Sequence, residues 1–186
     1  MRGPGRTLLP ISMLLTVVLA FAAAGCGGGQ SAEEQWADDV CTPVQNWSTQ
    51  ISQLSDDAKA AVSSPDASTI DTLKTDAQKA VSATNTLKSD LRNLPPAPGE
   101  NGQTARETLT SFANQTSQTV DSVKSSVSGL SSSSSASEAA SVLAGASAQV
   151  STLTTQAKSA IKTVEQMSSD LKSGFEDADS CKDLRS

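Results

Sequence analysis

Apolar side chains recur at steps of three and four residues along most of the chain after residue 40, a period typical of amphipathic helices. The most regular stretch has its seam positions at Ile70, Leu73, Ala77, Ala80, Thr84, Leu87, Leu91 and Leu94. A helix that packs against neighbouring helices presents such a seam to them. The pattern therefore predicts helices packed side by side, and it predicts no strands.

Three further stretches show the same helical spacing, over residues 40–61, 105–130 and 143–171. The links between the four stretches are short and rich in Pro, Gly or Ser, and they cover residues 64–65, 95–102 and 129–135. Four long amphipathic helices joined by short links favour one architecture. We predict an all-α, up-down-up-down four-helix bundle.

Local signals predict where the first and last long helices begin. Ser31 with Glu34, and Ser135 with Glu138, have the spacing of a capping box, in which each residue of the pair bonds the backbone of the other. Pro43 lies inside the first stretch and lacks the N–H that a helix interior uses. At Pro43 either the first helix kinks or two helices meet.

Other signals concern the second helix and the end of the chain. Ser64-Pro65 should close the first helix and cap the second, while Asp76 with Lys79 should form a solvated ion pair on the outside. We expect Gly174 to break the fourth helix, because glycine weakens a helix interior. A short terminal helix would then carry Phe175 and Cys181.

The beginning of the chain, over 1–25, has the order of a secretory signal. Arg2 and Arg6 are followed by an apolar run over 8–24, which ends in small residues before Cys26. An uncleaved membrane helix is the alternative interpretation, since a run of this length is at the short limit for a span. The signal interpretation predicts export of the remainder of the chain.

The four residues Ala23-Ala24-Gly25-Cys26 resemble the lipobox of bacterial lipoproteins, with Ala23 where that family usually has Leu. The resemblance implies that Cys26 is lipid-modified and becomes the first residue of the mature chain, anchored on the extracytoplasmic face of the cell membrane. The predicted organisation is a lipoprotein signal peptide over 1–25, the lipidated cysteine with a flexible tether over 26–31, and a helical bundle domain over 32–186.

Charge narrows the range of partners. The chain after residue 25 has 12 basic and 20 acidic residues, a net charge of −8, and it has no basic cluster. Such a surface argues against binding nucleic acid and against electrostatic adhesion to anionic lipid. The membrane contact that we expect is therefore through the lipid anchor at Cys26.

The chain lacks some of the side-chain types that catalysis or metal binding commonly uses. The chain has no His and no Tyr, so acid–base chemistry would fall to carboxylates or lysine. Asp177 and Asp179 have the start of a calcium loop, but Lys182 stands where such a loop needs Gly. We predict no enzymatic activity, no cofactor and no metal.

Export makes Cys41 and Cys181 candidates for a disulfide bond. In an up-down-up-down bundle, the start of the first helix and the end of the last lie at the same end of the molecule. The two cysteines occupy those two ends of the chain. We predict that they are bonded, and we call this end of the bundle the disulfide pole.

The two tryptophans admit two interpretations. Trp36 and Trp47 are separated by about three helical turns, so an unbroken helix would place both on one face. In the first interpretation Trp47 fills the core and Trp36 packs over the disulfide. In the second, the pair forms an exposed aromatic binding site.

The segment Trp36-Ala37-Asp38-Asp39-Val40-Cys41, followed by Trp47 and a cysteine near residue 186, is similar to small exported lipoproteins of actinobacteria, which are helical. That resemblance implies no activity. We expect a non-enzymatic envelope protein that acts as a binding or scaffolding module, with an envelope protein as partner. The alternative function is a carrier that encloses a lipid or other apolar ligand inside the bundle.

Overall fold

The computed structural model describes residues 29–63, 66–131 and 134–185, and these residues form helices and turns without any strand. The four long helices are α1 (Ala32–Ser63), α2 (Ala67–Asn93), α3 (Gly102–Ser128) and α4 (Ala136–Glu165). A terminal segment follows, made of α5 (Ser169–Asp177), a 3₁₀ turn (Asp179–Cys181) and α6 (Lys182–Arg185). The predicted signal peptide and Cys26 lie outside the described residues.

The long helices pack in a ring, which confirms the predicted all-α bundle. Helix α1 contacts α2 and α4, and α3 contacts the same two helices from the other side. The terminal segment packs mainly against α1. All eight predicted seam positions of α2, from Ile70 to Leu94, are buried, because the seam faces the shared core.

Helix α1 is continuous through Pro43, so the alternative in which two helices meet there is wrong. Proline in a helix interior removes one hydrogen bond and costs about 3 kcal/mol. Burial on both sides of it offsets this cost, because Val40 and Val44 lie in the core a turn or less from Pro43.

The predicted start of α1 is confirmed, since Ser31 and Glu34 form both hydrogen bonds of a capping box. The Glu34 N–H donates to Ser31 Oγ at 3.0 Å, and the Ser31 N–H donates to a Glu34 carboxylate oxygen at 3.4 Å. Helix α4 begins as predicted after Ser135, whose Oγ accepts from the Glu138 N–H. Helix α2 is capped by Asp66, so the prediction that Ser64-Pro65 caps it is wrong; residues 64 and 65 themselves lie outside the described residues.

The predicted break at Gly174 is wrong. Helix α4 ends at Glu165, and α5 starts after Ser168, whose Oγ accepts a hydrogen bond from the Leu171 N–H at 3.1 Å. Gly174 lies buried inside α5, where a Cβ atom would stand only 2.6 Å from the carbonyl carbon of Glu33. The glycine therefore permits α5 to approach the backbone of α1, and it ends no helix.

The predicted disulfide between Cys41 and Cys181 is confirmed, with a Cα–Cα distance of 5.1 Å. Both cysteines are buried. The bond joins the 3₁₀ turn to the third turn of α1, and the two cysteines have a sequence separation of 140 residues. The terminal segment is thereby fixed at the disulfide pole.

Candidate functional site

Trp36 joins three parts of the disulfide pole. Its indole Nε1–H donates a hydrogen bond of 3.0 Å to the Pro95 carbonyl, and its ring packs edge to face with Phe175 of α5 at a centroid distance of 5.9 Å. The side chain is only 3% exposed. Trp36 therefore ties α1 to the α2–α3 loop and to the terminal segment, as a core residue does.

Trp47 has the same role in the middle of the bundle. Its Nε1–H donates to Thr84 Oγ1 at 3.0 Å, its ring lies edge to face with Phe112 at 5.8 Å, and it is 1% exposed. The interpretation of Trp36 and Trp47 as an exposed aromatic site is wrong, because neither ring is accessible to a partner. Trp47 fills the core, as the other interpretation stated, and Trp36 is buried as well, with its ring packed against Phe175.

The loop over residues 95–102 is held at the disulfide pole by hydrogen bonds. The Ala97 N–H donates to the Gly102 carbonyl at 3.1 Å, and the Asn101 side-chain amide donates to the Met167 carbonyl at 2.8 Å. Gly99 has a φ of 86°, a conformation that glycine adopts without strain. The loop is therefore bonded to the turn between α4 and α5, as well as to Trp36.

The negative charge of the protein is unevenly distributed. Helix α1 has six acidic residues and one lysine, whereas the charges of α3 and of α4 balance. The terminal segment adds five acidic residues against three basic ones, and the α2–α3 loop adds Glu100. Most of this excess lies at the disulfide pole, which is consequently the most acidic part of the described protein.

Arg185 of α6 forms ion pairs with carboxylates of two other helices. Arg185 Nε lies 3.0 Å from a Glu165 carboxylate oxygen, and its Nη2 lies 3.3 Å from Glu176. Burial raises the pKa of Glu165, while the neighbouring Arg185 opposes this rise. This contact links α6 to α4 and α5, so it stabilises the packing of the terminal segment.

A second carboxylate contact lies between α1 and α2. The Asp76 side chain is only 8% exposed and bonds Lys79 Nζ at 2.8 Å, so the expectation of a solvated pair is wrong for Asp76. Burial raises the pKa of Asp57, and a hydrogen bond between the Asp57 and Asp76 carboxyl groups adds to that rise. Neither aspartate lines any of the grooves described next.

The open grooves on the surface of the described protein include five of 380–530 Å³, each between neighbouring helices. The largest is between α3 and α4. It is lined by Thr104, Glu107, Thr108, Ser111, Phe112, Gln115, Gln156, Ser159, Ala160 and Thr163. None of the five is an enclosed apolar chamber of the kind that a lipid carrier would need.

The sequence pattern does not predict this α3–α4 groove, because its polar residues lie on outer helix faces that a single-helix pattern assigns to solvent.

In the part of the chain that the structure describes, no three carboxylate or cysteine side chains are arranged to hold a metal ion. None of the described helices combines the length and the hydropathy required to cross a bilayer.

Comparison with known proteins gives no relative from which a role could be transferred. No protein-family model, no curated protein and no solved structure matches the chain. The function is therefore inferred from the residues of the chain itself.

Proposed function

We propose that this protein is a lipoprotein of the cell envelope, exported and held on the extracytoplasmic face of the membrane through Cys26, where it acts as a non-enzymatic binding or scaffolding module. The observation that carries the proposal is the lipobox-like sequence Ala23-Ala24-Gly25-Cys26 after a basic and then apolar leader. A lipid-modified cysteine at this point would leave the whole bundle outside the membrane.

The position of α1 relative to Cys26 supports this arrangement. Helix α1 begins at Ala32, so only residues 27–31 separate the anchor from the bundle. Five residues reach roughly 17 Å when fully extended. The disulfide pole, with the loop over 95–102 and the terminal segment, would therefore lie near the bilayer surface, and the links at the other end would point away from it.

The arrangement of ionisable residues supports a non-enzymatic role. The chain has no His and no Tyr. Both carboxyl groups with a raised pKa take part in contacts between helices, Glu165 with Arg185 and Asp57 with Asp76. Glu165 also lines one of the open grooves, but its carboxylate is paired there with Arg185, and Asp57 lines none of the five. These contacts stabilise the packing of the bundle, whereas a catalytic carboxylate would be expected to face a substrate.

Mass spectrometry of the mature protein tests the anchor. We expect an N-terminus at Cys26 that carries acyl chains, and we expect Cys26→Ser to release or mislocalise the protein, because two or more acyl chains hold a protein stably at a bilayer. Gly27→Ala, one residue further on, is the matched control and should remain membrane-bound. An unmodified N-terminus at another residue would contradict the proposal.

Site-specific photo-crosslinking in cells tests where a partner binds. We expect a crosslinker at exposed Glu100, on the disulfide pole, to capture an envelope protein, and one at exposed Ser128, at the opposite end, to capture none. Replacing residues 131–135 by a Gly-rich link should leave the crosslinking at Glu100 unchanged. Capture from Ser128 alone would place the binding surface at the end opposite to the disulfide pole, which would contradict this prediction.

A further inference from the structure

The largest of the five grooves runs along the outer junction of α3 and α4 and has a volume of about 530 Å³. This volume lies in the range of small-molecule binding sites. Its floor includes Phe112, which is 7% exposed, and the small side chain of Ala160. Phe112 packs inward against Trp47 and Ala160 is small, so neither side chain fills the trough between the two helices.

The walls of the groove hold hydrogen-bonding groups that the protein does not use. Within the described residues, Ser111 and Gln115 of α3, and Gln156 and Ser159 of α4, make no hydrogen bond through their side chains. Each glutamine offers two N–H donors and one carbonyl acceptor. Donors and acceptors are therefore available on both walls, together with an apolar floor.

The charges around the groove limit the class of ligand. The only charged side chain in its lining is Glu107, which accepts a hydrogen bond of 2.7 Å from the Gln103 amide. Without a cationic lining residue the groove lacks the charge-assisted donors that an anion needs, and a single carboxylate does not make a cation site. A neutral ligand with many hydroxyl groups matches amide walls and an apolar floor.

We propose that the α3–α4 groove binds a neutral saccharide, with Gln115 and Gln156 bonding vicinal hydroxyl groups above the floor that Phe112 and Ala160 form. The proposal rests on the binding role proposed above and names a ligand class for it. Its test uses purified protein, so its outcome is independent of whether Cys26 is lipidated.

Titration followed by NMR tests the proposal on the full chain, purified in a detergent without a sugar headgroup. The probes are linear tetramers of N-acetylglucosamine and of glucose, with a tetramer of galacturonic acid as the anionic comparison. We expect both neutral probes to shift the side-chain amide signals of Gln115 and Gln156, and the anionic probe to bind at least about tenfold more weakly.

Variants locate the site. Gln115→Ala with Gln156→Ala should weaken binding of the neutral probes by about tenfold or more, since two hydrogen bonds are lost. Gln118→Ala with Gln149→Ala changes one exposed glutamine on each of the same helices outside the groove and should bind as the wild type does. Ser159→Trp should fill the trough and abolish binding while the melting temperature stays within a few degrees.

Three results would overturn the proposal: no shift with either neutral tetramer, equal binding by the Gln115/Gln156 double variant, or equally tight binding of the anionic tetramer. Because the variants change exposed side chains, their melting temperatures confirm that the fold is intact. Failure here leaves the anchor experiments unaffected, and failure of the anchor leaves this binding measurement valid.

Discussion

Trp47 Nε1 on α1 donates a 3.0 Å hydrogen bond to Thr84 Oγ1 on α2, and both residues are buried in the core. The Thr84 hydroxyl in turn donates to the Ala80 carbonyl at 2.7 Å. Every polar group in this chain of contacts is therefore paired. Because a hydrogen bond is directional, the contact determines how α1 and α2 align along their length.

We expect Thr84→Val to destabilise the protein by about 1–3 kcal/mol, since it leaves the buried Trp47 N–H without an acceptor. Thr116→Val is the matched control, because the Thr116 hydroxyl is buried without a partner among the described residues and its removal should be neutral or stabilising. Urea unfolding followed by tryptophan fluorescence measures both. Equal losses for the two variants would show that the Trp47–Thr84 bond contributes no specific stability.

Gly174→Ala should destabilise the protein by about 1–3 kcal/mol, because the new methyl group would press on the Glu33 backbone and force α5 away from α1. Gly145→Ala is the control, since that exposed glycine of α4 has nothing within 4 Å of an added Cβ. The control should stabilise by about 0.5–1 kcal/mol through helix propensity. Thermal unfolding measures the stability of both variants. A Gly174→Ala variant as stable as Gly145→Ala would contradict the close approach of α5 to α1.

The dependence of stability on pH tests the Asp57–Asp76 contact. The pKa of Asp57 is raised above its ordinary value of 3.8. A carboxyl group whose pKa is higher in the folded chain stabilises the fold below its ordinary pKa, and this contribution is lost as the pH rises through the raised value. Asp57→Asn should remove this loss of stability at higher pH, since an amide can keep the hydrogen bond to Asp76 and carries no charge.

We therefore expect Asp57→Asn to match the wild type near pH 3 and to be more stable at pH 7 by less than about 1 kcal/mol, because Asp57 is partly exposed to solvent. Asp71→Asn, which removes an exposed carboxylate from α2, controls for the change in net charge. Urea midpoints between pH 3 and pH 7 give the comparison. We expect the stability of Asp57→Asn relative to the wild type to increase as the pH rises. A decrease over the same range would contradict a raised pKa for Asp57.

Replacing Cys41 and Cys181 together by Ala should reduce the free energy of unfolding by roughly 5 kcal/mol, by the chain-entropy estimate for a loop of this length. In the native protein both cysteines are buried, so reductant should act slowly until denaturant is added. Calorimetry of the double variant and thiol labelling over time provide the two measurements. Rapid labelling in native buffer would mean that the terminal segment detaches readily.

The four long helices could be predicted from the sequence because burial on one face imposes the spacing of three and four residues. The positions from Ile70 to Leu94 follow this spacing and are all buried. The disulfide followed from the same reasoning, since alternating helix directions place Cys41 and Cys181 together. These features depend on patterns that each segment displays by itself.

The predictions that were wrong concern residues whose role depends on neighbours that are distant in the sequence. Local rules treat Pro43 and Gly174 as helix breakers, but core packing keeps α1 continuous across Pro43, and the approach of Glu33 requires Gly174 inside α5. Asp76 was assigned to solvent from its spacing to Lys79, whereas contact with α1 buries it. No single-helix pattern contains this information.

The α3–α4 groove could not be predicted for a similar reason. Gln115 and Gln156 belong to different helices, and each lies on a face that its own helix presents as polar. The groove exists only where the two faces adjoin. Predicting it would require the rotation of each helix about its axis, which the seam spacing specifies only approximately.

The Cys41–Cys181 bond also determines how the domain would carry a mechanical load. A pulling force applied between residue 26 and residue 186 would pass along residues 26–41, across the bond, and out through the residues after Cys181. The stretch of chain between the cysteines, with its sequence separation of 140 residues, would bear no tension. Helices α2, α3 and α4 would remain folded under that force until the bond was reduced, and reduction would then release roughly 480 Å of extended chain.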